Sequence, residues 1–540
     1  MPIPQKQDAK LIRLRFGGGL NNNSPEHEIE DMECTGSSQN FDIDHKDSLL
    51  RRRKPFDLVA TAPNGEEIRG YHQLVKATGE ITTGIQAGGT VYSWDGASSF
   101  TSVGTCNANS RLRGPRTANW TLDGVALIAD LEELTVVKAW NGTTFATLTH
   151  DLGGDFYARH ILVANDRAVY ANVKSGTSTP HVLAFSELGV YDDLNITNRP
   201  SSSLAVTDPF FLTTPDLRAC NGVVDAFGLL TFSTERGRFY KLTGSDAKDY
   251  AIAQLYPDSG AIGNEAFIYV GNDVFYGRGG RIESLFATEA LGDVATDDIS
   301  VWITESVQSV DEWKGAYNSR FQRVYFNDPE NETLWVINKD FLDERIRKLS
   351  QRQPFPDLSP WMRWKTDHSL GFRPSVLFTI LDPVTELETT YMGGSGGKIY
   401  KLEGTGDQDG GTTDITVTRI SKAFDIPNFG EAIDVSGYIA YRRGSAATVT
   451  IGLLWGGMEI SDESITVDLD AASGGWFWGG SYYWGGSIYW GIPFSGRFHR
   501  KVLDIVGTGE QLQIKTQFSG AVDVFIKEIG LEIRSVAPST

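Results

Sequence analysis

Residues 229–285 read LLTFSTERGRFYKLTGSDAKDYAIAQLYPDSGAIGNEAFIYVGNDVFYGRGGRIESL, and this stretch decides the fold. Five short apolar runs, at 229–233, 238–242, 251–255, 266–270 and 273–276, alternate with turns rich in Gly, Asn and Asp. Period-two runs with a turn every ten residues or so describe an antiparallel meander. One phrase inside it recurs: GRFYKLTG at 237–244, GTVYSWDG at 89–96 and GKIYKLEG at 397–404. Looser echoes lie at 134–142, 167–176, 272–277 and 331–338. Their spacing is irregular, roughly thirty-five to sixty-five residues, and wider than that of a regular propeller repeat. The prediction is an all-β chain built on a β-propeller of about six to eight blades.

Composition agrees with many short strands and tight turns. The 540 residues include 58 Gly, and aromatics make up 11%, while helix-forming runs of Ala, Leu, Glu and Lys are nearly absent. A hydrophobic share of 40% is enough for a large core. Lys and Arg number 49 against 69 Asp and Glu, giving a net charge of −20. That balance is the reverse of the basic footprint with which proteins grip phosphate. It serves solubility, or a surface that repels DNA. The three cysteines, Cys34, Cys106 and Cys220, form no CxxC and imply neither a disulfide framework nor a zinc site. No signal segment opens the chain, and no apolar run approaches the ~20 residues of a membrane span. The Asn-x-Thr sequons at Asn119, Asn141, Asn195 and Asn331 read as strand and turn chemistry.

Three regions follow from texture. Residues 1–60 form an extended N-terminal arm, whose FGGGLNNNSP at 16–25 reads as a loop without a core of its own, ordered by packing on a neighbour. It ends in Arg51, Arg52, Arg53 and Lys54, which either touch DNA or pair with carboxylates of a neighbour. Residues 61–410 hold the blades. One helix is expected in an insertion after the strand at 334–338, with Leu342, Ile346 and Leu349 on one face and i,i+4 pairs Asp343–Arg347 and Glu344–Lys348. Residues 411–540 carry seven alternating strands, at 413–423, 434–441, 447–454, 464–469, 499–506, 511–518 and 523–532, as in a β-sandwich. Within them WGGSYYWGGSIYWG at 478–491 sets Trp478, Trp484 and Trp490 six residues apart, with Tyr483 beside them. In one extended strand the three indoles share a face; if each Gly-Gly turns, they form an aromatic ribbon. Such a row is read first as a subunit contact buried against another copy, with a sugar or host-surface contact or ordinary core as the other readings.

No linear signature of catalysis survives inspection. GGSGG at 393–397 satisfies GxSxG, yet a blade strand follows the serine where a nucleophile elbow needs a helix. Walker spacing fails, because Met392 and Ile399 occupy its Gly and Ser/Thr positions. Asp42, Asp44 and Asp47, and Asp407 with Asp409, lack EF-hand spacing and read as turn residues. The eight histidines are scattered. The reading is a non-enzyme without cofactor or metal. The alternative is a glycan-binding or receptor-binding propeller that uses the Trp row as its platform.

Segment 223–285 resembles the β-propeller tail proteins of tailed phages, especially the tail nozzle or packaged-DNA stabilisation proteins of short-tailed phages. The matching runs are AFGLLTFSTERGRFYKLTG at 226–244, DSGAIG at 258–263, VGNDVFY at 270–276 and GRIESL at 280–285. In the arm, FGGGLN at 16–21, QNFDID at 39–44 and residues 50–55 look like the opening of such proteins. The Trp-Gly-Gly repeat and the insertion at 340–360 have no counterpart. The resemblance implies a virion protein, made in the host cytoplasm, at the lower end of the tail channel. It implies a homo-oligomeric, hexameric ring that meets adaptor or portal-side proteins and tail fibres or spikes, and that passes duplex DNA without tight binding. Six copies would carry six times the −20 charge, suited to a wall that does not hold DNA.

Overall fold

In the computed structural model of the chain, residues 10–536 are described, apart from single positions and short stretches of which the longest are 195–204, 257–266, 351–357, 469–493 and 504–510. The chain forms two compact units. One comprises Leu58–Leu334 and Thr366–Leu402, the other Met1–Asp57, Trp335–Lys365 and Glu403–Thr540.

The first of these is a β-propeller made of four-stranded antiparallel meanders. The first sheet runs Ile68–Val75, Ile81–Ala87, Thr90–Trp94, Phe100–Thr105, and the second Thr117–Trp120, Val125–Asp130, Thr135–Trp140, Phe145–Thr147. The third is Phe156–Ala164, Arg167–Ser175, Thr177–Phe185, Phe210–Thr213, and the fourth Cys220–Ala226, Leu229–Thr234, Phe239–Thr243, Ala251–Tyr256. The fifth is Phe267–Val270, Asp273–Arg278, Arg281–Thr288, Asp293–Asp298. In the sixth, Lys314–Asn318, Arg323–Asp328, Thr333–Asn338, Trp361–Lys365, the chain passes from one unit to the other within the third strand. The seventh takes Pro374–Leu381, Glu388–Gly394 and Lys398–Lys401, and its fourth strand is Asp57–Thr61, from before the first sheet. The three clearest copies of the repeated phrase are the third strands of the first, fourth and seventh sheets. Their tyrosines Tyr92, Tyr240 and Tyr400 are buried.

The propeller core lies between neighbouring sheets. Separate apolar clusters join the first sheet to the second, the second to the third, the third to the fourth and the fourth to the fifth. Another joins the seventh back to the first, where Val376, Phe378, Ile380 and Tyr391 pack with Ile68, Ile85 and Trp94. Polar side chains reinforce the same seam. Gln73 mimics a strand neighbour, donating its amide to Leu381 O at 2.8 Å and accepting from Leu381 N at 3.0 Å.

Close approach of the sheets requires glycine at chosen points. Successive strand residues face opposite ways, so Phe267 and Ile268 serve two neighbours. Phe267 enters the gap at Gly222 on the fourth sheet, where a Cβ would lie 2.3 Å from Phe267 Cε2. Ile268 enters the gap at Gly315 on the sixth, where a Cβ would lie 2.1 Å from Ile268 Cδ1 and 2.7 Å from Tyr325 O.

The second unit holds two further antiparallel sheets. One is ordered Phe41–Asp44, Leu49–Arg52, Phe525–Val536, Ala432–Arg442, Phe494–Leu503, with Lys10–Arg15 also paired to Phe525–Val536. The other is ordered Val417–Ile420, Gln511–Ser519, Thr448–Trp455, Met458–Glu459 and adds Phe424–Asp425 and Ile465–Asp468. The seven strands expected after residue 411 therefore have counterparts in these sheets. The N-terminal residues, expected as an extended arm ordered by a neighbour, instead supply three strands to a sheet of their own chain, and Ile12, Leu14, Phe16, Leu20, Phe41 and Ile43 are buried.

The reason lies in the glycine run, which reads as a loop in sequence but serves close backbone contact. Gly19 N donates to Ser359 O at 2.7 Å and Leu20 N to Trp361 O at 2.8 Å. A Cβ on Gly19 would lie 2.0 Å from Trp361 O. Around it Glu33 accepts from Asn21 Nδ2 at 2.9 Å and Ser359 N at 2.5 Å, and burial raises its pKa. The Arg419 guanidinium lies 4.6 Å from the Phe16 ring centroid and donates to the carbonyls of Met32 and Glu33. The expected helix is present as Lys339–Ser350, with Leu342 buried. Lys339 pairs with Asp343 at i,i+4, while the side chains of Arg347 and Lys348 lie outside the described residues. No helix among the described residues is long and apolar enough to cross a membrane.

A β-branched side chain at either gap tests this packing. Gly222→Val and Gly315→Val are each expected to lower stability by about 1–3 kcal/mol, the cost of overpacking a filled site. The shift of the urea midpoint measures it, and an unchanged midpoint would contradict the notched-sheet account.

Candidate functional site

The basic run singled out in the sequence is largely paired or buried, with Lys54 left exposed. Arg51 and Asp42 face each other across the hairpin of Phe41–Asp44 and Leu49–Arg52, with Arg51 Nε donating to Asp42 Oδ2 at 2.7 Å. Arg52 is buried, and Lys54 is exposed. Arg53 is 1% exposed, and all five of its guanidinium hydrogens have acceptors. Nε donates to Asn40 Oδ1 at 3.1 Å, Nη1 to Lys54 O at 3.0 Å and Asp409 Oδ1 at 2.9 Å, and Nη2 to Lys365 O at 3.2 Å and Asp409 Oδ2 at 2.5 Å. The guanidinium also lies 3.9 Å from the centroid of the Phe56 ring. The carboxylates that answer Arg51 and Arg53 thus belong to the same chain, not to a neighbour. Trp478, Tyr483, Trp484 and Trp490 lie outside the described residues.

The same pairings occupy two of the aspartates tested against EF-hand spacing, Asp42 and Asp409, while Asp47, Asp407 and the Asp44 side chain lie outside the described residues. Among the described residues no group of three His, Cys, Asp or Glu is placed to hold a metal. Ser395 of the GxSxG match sits in the turn Ser395–Gly397 between two strands, with Gly396 at φ 68°, and its Oγ accepts from Arg373 N at 2.8 Å. Cys106 and Cys220 are pushed up to about 12 by burial, so their thiols stay protonated. Three sequon asparagines serve structure: Asn119 bonds His72 and the Gln73 carbonyl, Asn141 caps its own turn, and Asn331 donates to Asp328.

A site that sequence reasoning missed lies between the third and fourth sheets. A cavity of about 420 Å³ is lined by Arg159, Asn172 and Pro180 from the third sheet, by Leu217, Arg218 and Ala219 ahead of the fourth, and by Glu235. The strands bulge on both sides, between Ala171 and Val173 and between Cys220 and Gly222. Two lining residues that are not glycine, Asn172 and Leu217, hold φ of 54°. That left-handed backbone costs about 1–3 kcal/mol and persists only where the surroundings impose it. Asn172 Nδ2 donates to Cys220 O at 3.4 Å, and Leu217 is 68% exposed. No linear signal marks the site, because its charges come from three separate segments.

Next to Arg159 in the chain, His160 is fully buried. Burial, then the charges of Arg159 and Arg116, holds its pKa well below the usual histidine value, against a pull the other way from the Cys220 backbone. His72 is likewise drawn down to about 4, by burial that outweighs its bond to Asn119.

No family model and no curated protein matches the sequence. Among solved structures, the chain is similar to YCF48 bound to D1 peptide at 10% identity and a TM-score of 0.40, over 68% of this chain and 97% of that one. Raptor of Chaetomium thermophilum shares 9% identity at a TM-score of 0.39, over 65% of this chain and 30% of that one. The WD40 domain of Toxoplasma gondii coronin shares 9% at 0.35, over 68% and 87%.

Two outcomes are expected. Arg53→Ala leaves the Asp409 carboxylate buried without its cation and should cost about 3–5 kcal/mol, whereas Lys54→Ala, at an exposed side chain of the same run, should cost about 0.5 kcal/mol or less. Hydrogen exchange at the Phe56 and Gly410 amides, which bond around this pair, reads the difference; equal effects would contradict it.

The second concerns pH. A histidine whose folded pKa is depressed binds its proton more readily when unfolded, so its stabilising effect is full above about pH 6.5 and lost as the pH falls below it. Melting temperature should fall from pH 7 to pH 5, and His160→Leu should flatten that slope. A slope unaltered by the substitution would show that His160 is not the cause.

Proposed function

We propose that the chain is a non-enzymatic structural component of a phage tail, a ring-forming nozzle or hub at the end of the tail channel that retains the genome and then passes it. The observation that carries this reading is the treatment of its basic run. In a chain of net charge −20, Arg51 is answered by Asp42, and Arg53 is buried against Asp409, so this run offers phosphate little grip. A conduit for duplex DNA needs a wall of that kind, since every neutralised phosphate adds a salt-dependent hold. The sequence resemblance to tail nozzle proteins supports the reading, and a closed ring suits a chain that joins its neighbour through one heterologous interface.

Electron microscopy of the purified chain, paired with a duplex-DNA binding assay, tests it. Rings are expected, with negligible binding even at ~50 mM salt, where phosphate contacts are strongest. A chain that stays monomeric at every concentration, or a steep salt-dependent affinity for duplex DNA, would overturn the proposal. Glycan binding through the Trp478–Trp490 segment with no ring would favour a receptor-binding protein instead.

A further inference from the structure

We propose that the cleft between the third and fourth sheets is a binding site for a zwitterionic ligand, a short peptide segment that presents a carboxylate and a cationic group on either side of a small apolar side chain. This does not depend on the tail reading. The volume of about 420 Å³ is that of a small-ligand site, which spans roughly 300–1,000 Å³. Its chemistry is mixed in a specific way. Arg218 supplies a guanidinium, whose planar fork matches a carboxylate, and Arg159 adds a second positive charge to the lining. Glu235 supplies a single carboxylate on the same lining, and Pro180, Leu217 and Ala219 add an apolar wall.

Two observations separate this from ordinary surface charge. Arg218 and Glu235 are both exposed and line one cavity. Yet among the described residues neither side chain has an ion pair or hydrogen bond, with each other or with any other group. Opposite charges held near one another without pairing leave both available to a ligand that carries both signs.

The second observation is the rigidity of the rim. Leu217 N donates to Thr214 O at 3.0 Å, Thr214 Oγ1 to Arg218 O at 2.9 Å and Arg218 N to Asp216 Oδ1 at 3.2 Å. Thr234 Oγ1 then donates to Asp216 Oδ2 at 2.9 Å, and Glu235 N to Ala219 O at 3.0 Å. This lattice holds Leu217 in its left-handed conformation with the side chain largely exposed. A ligand that covers Leu217 gains apolar contact on a surface already ordered, so little entropy is lost on binding.

Isothermal titration of the full chain tests the site with two probes, the capped peptide acetyl-Asp-Leu-Lys-amide and free leucine, which carry the same charges and apolar group in different form. Saturable binding of either probe is expected, weakened at least tenfold by Arg218→Ala and by Glu235→Gln. Both substitutions are at exposed positions, and circular dichroism checks that the fold is kept. Peptide binding alone identifies a chain segment as the ligand, and leucine binding alone a free amino acid. Failure of both probes, binding indifferent to both substitutions, or equal binding of the uncharged acetyl-Asn-Leu-Gln-amide would overturn the proposal.

Discussion

The packing of the last propeller sheet on the first is the contact on which the other sheets depend. Tyr71 stacks on Phe378 with ring centroids 4.7 Å apart, and Trp94 meets Tyr391 edge-on at 5.3 Å. Gln73 and Leu381, bonded across this seam, are 308 residues apart in the chain. Bringing such distant segments together costs about 5 kcal/mol in loop-closure entropy beyond a constant. Burying one large apolar side chain returns about 1.5–3 kcal/mol, so the several residues of this cluster outweigh the closure. The first and last sheets can then be buried on both faces, which the end sheets of an open row cannot be. The upstream strand Asp57–Thr61 strengthens the closure, since it ties the last sheet to the chain that enters the first.

A second constraint stands where the chain leaves for the propeller and returns. Arg53 and Asp409 flank that excursion in sequence, and their buried pair is reinforced by Phe56 N donating to Asp409 Oδ1 at 2.8 Å and Gly404 N to Pro55 O at 2.8 Å. A buried ion pair is weak evidence of net stability, because desolvating both charges is costly. Its value here is registry. Five directed donors accept one arrangement of Asn40, Lys54, Lys365 and Asp409 and reject others. The same arrangement withdraws a cation from the surface, which joins the folding of this unit to the electrostatic character proposed for it.

The turn-and-strand phrase marked third strands in five sheets, but the echoes at 167–176 and 272–277 are second strands. A tight turn before a strand with a buried tyrosine is a local need that any strand of a meander can have, as Tyr170 and Tyr276 show. The helix was legible for a similar reason, since its signal lies within twelve consecutive residues. The role of the first sixty residues was not. Glycine in FGGGLN signals freedom when read locally, and only the approach of Ser359 and Trp361 turns it into a requirement for closeness. Nor was the cleft of Arg159, Arg218 and Glu235 legible, because the spacing of its charges exists only after two sheets have packed.

The amino-acid sequence by itself determined the strand-and-turn alternation, the repeated blade unit and the acidic balance, because each depends on neighbours within about ten residues or on composition alone. Tertiary structure decided which distant segments meet: that both chain ends build one sheet around Phe525–Val536, that Arg53 finds Asp409, and that Phe267 and Ile268 find glycine gaps on opposite sides. Those outcomes depend on shape complementarity and burial between residues tens to hundreds apart, and no local periodicity encodes such a distance.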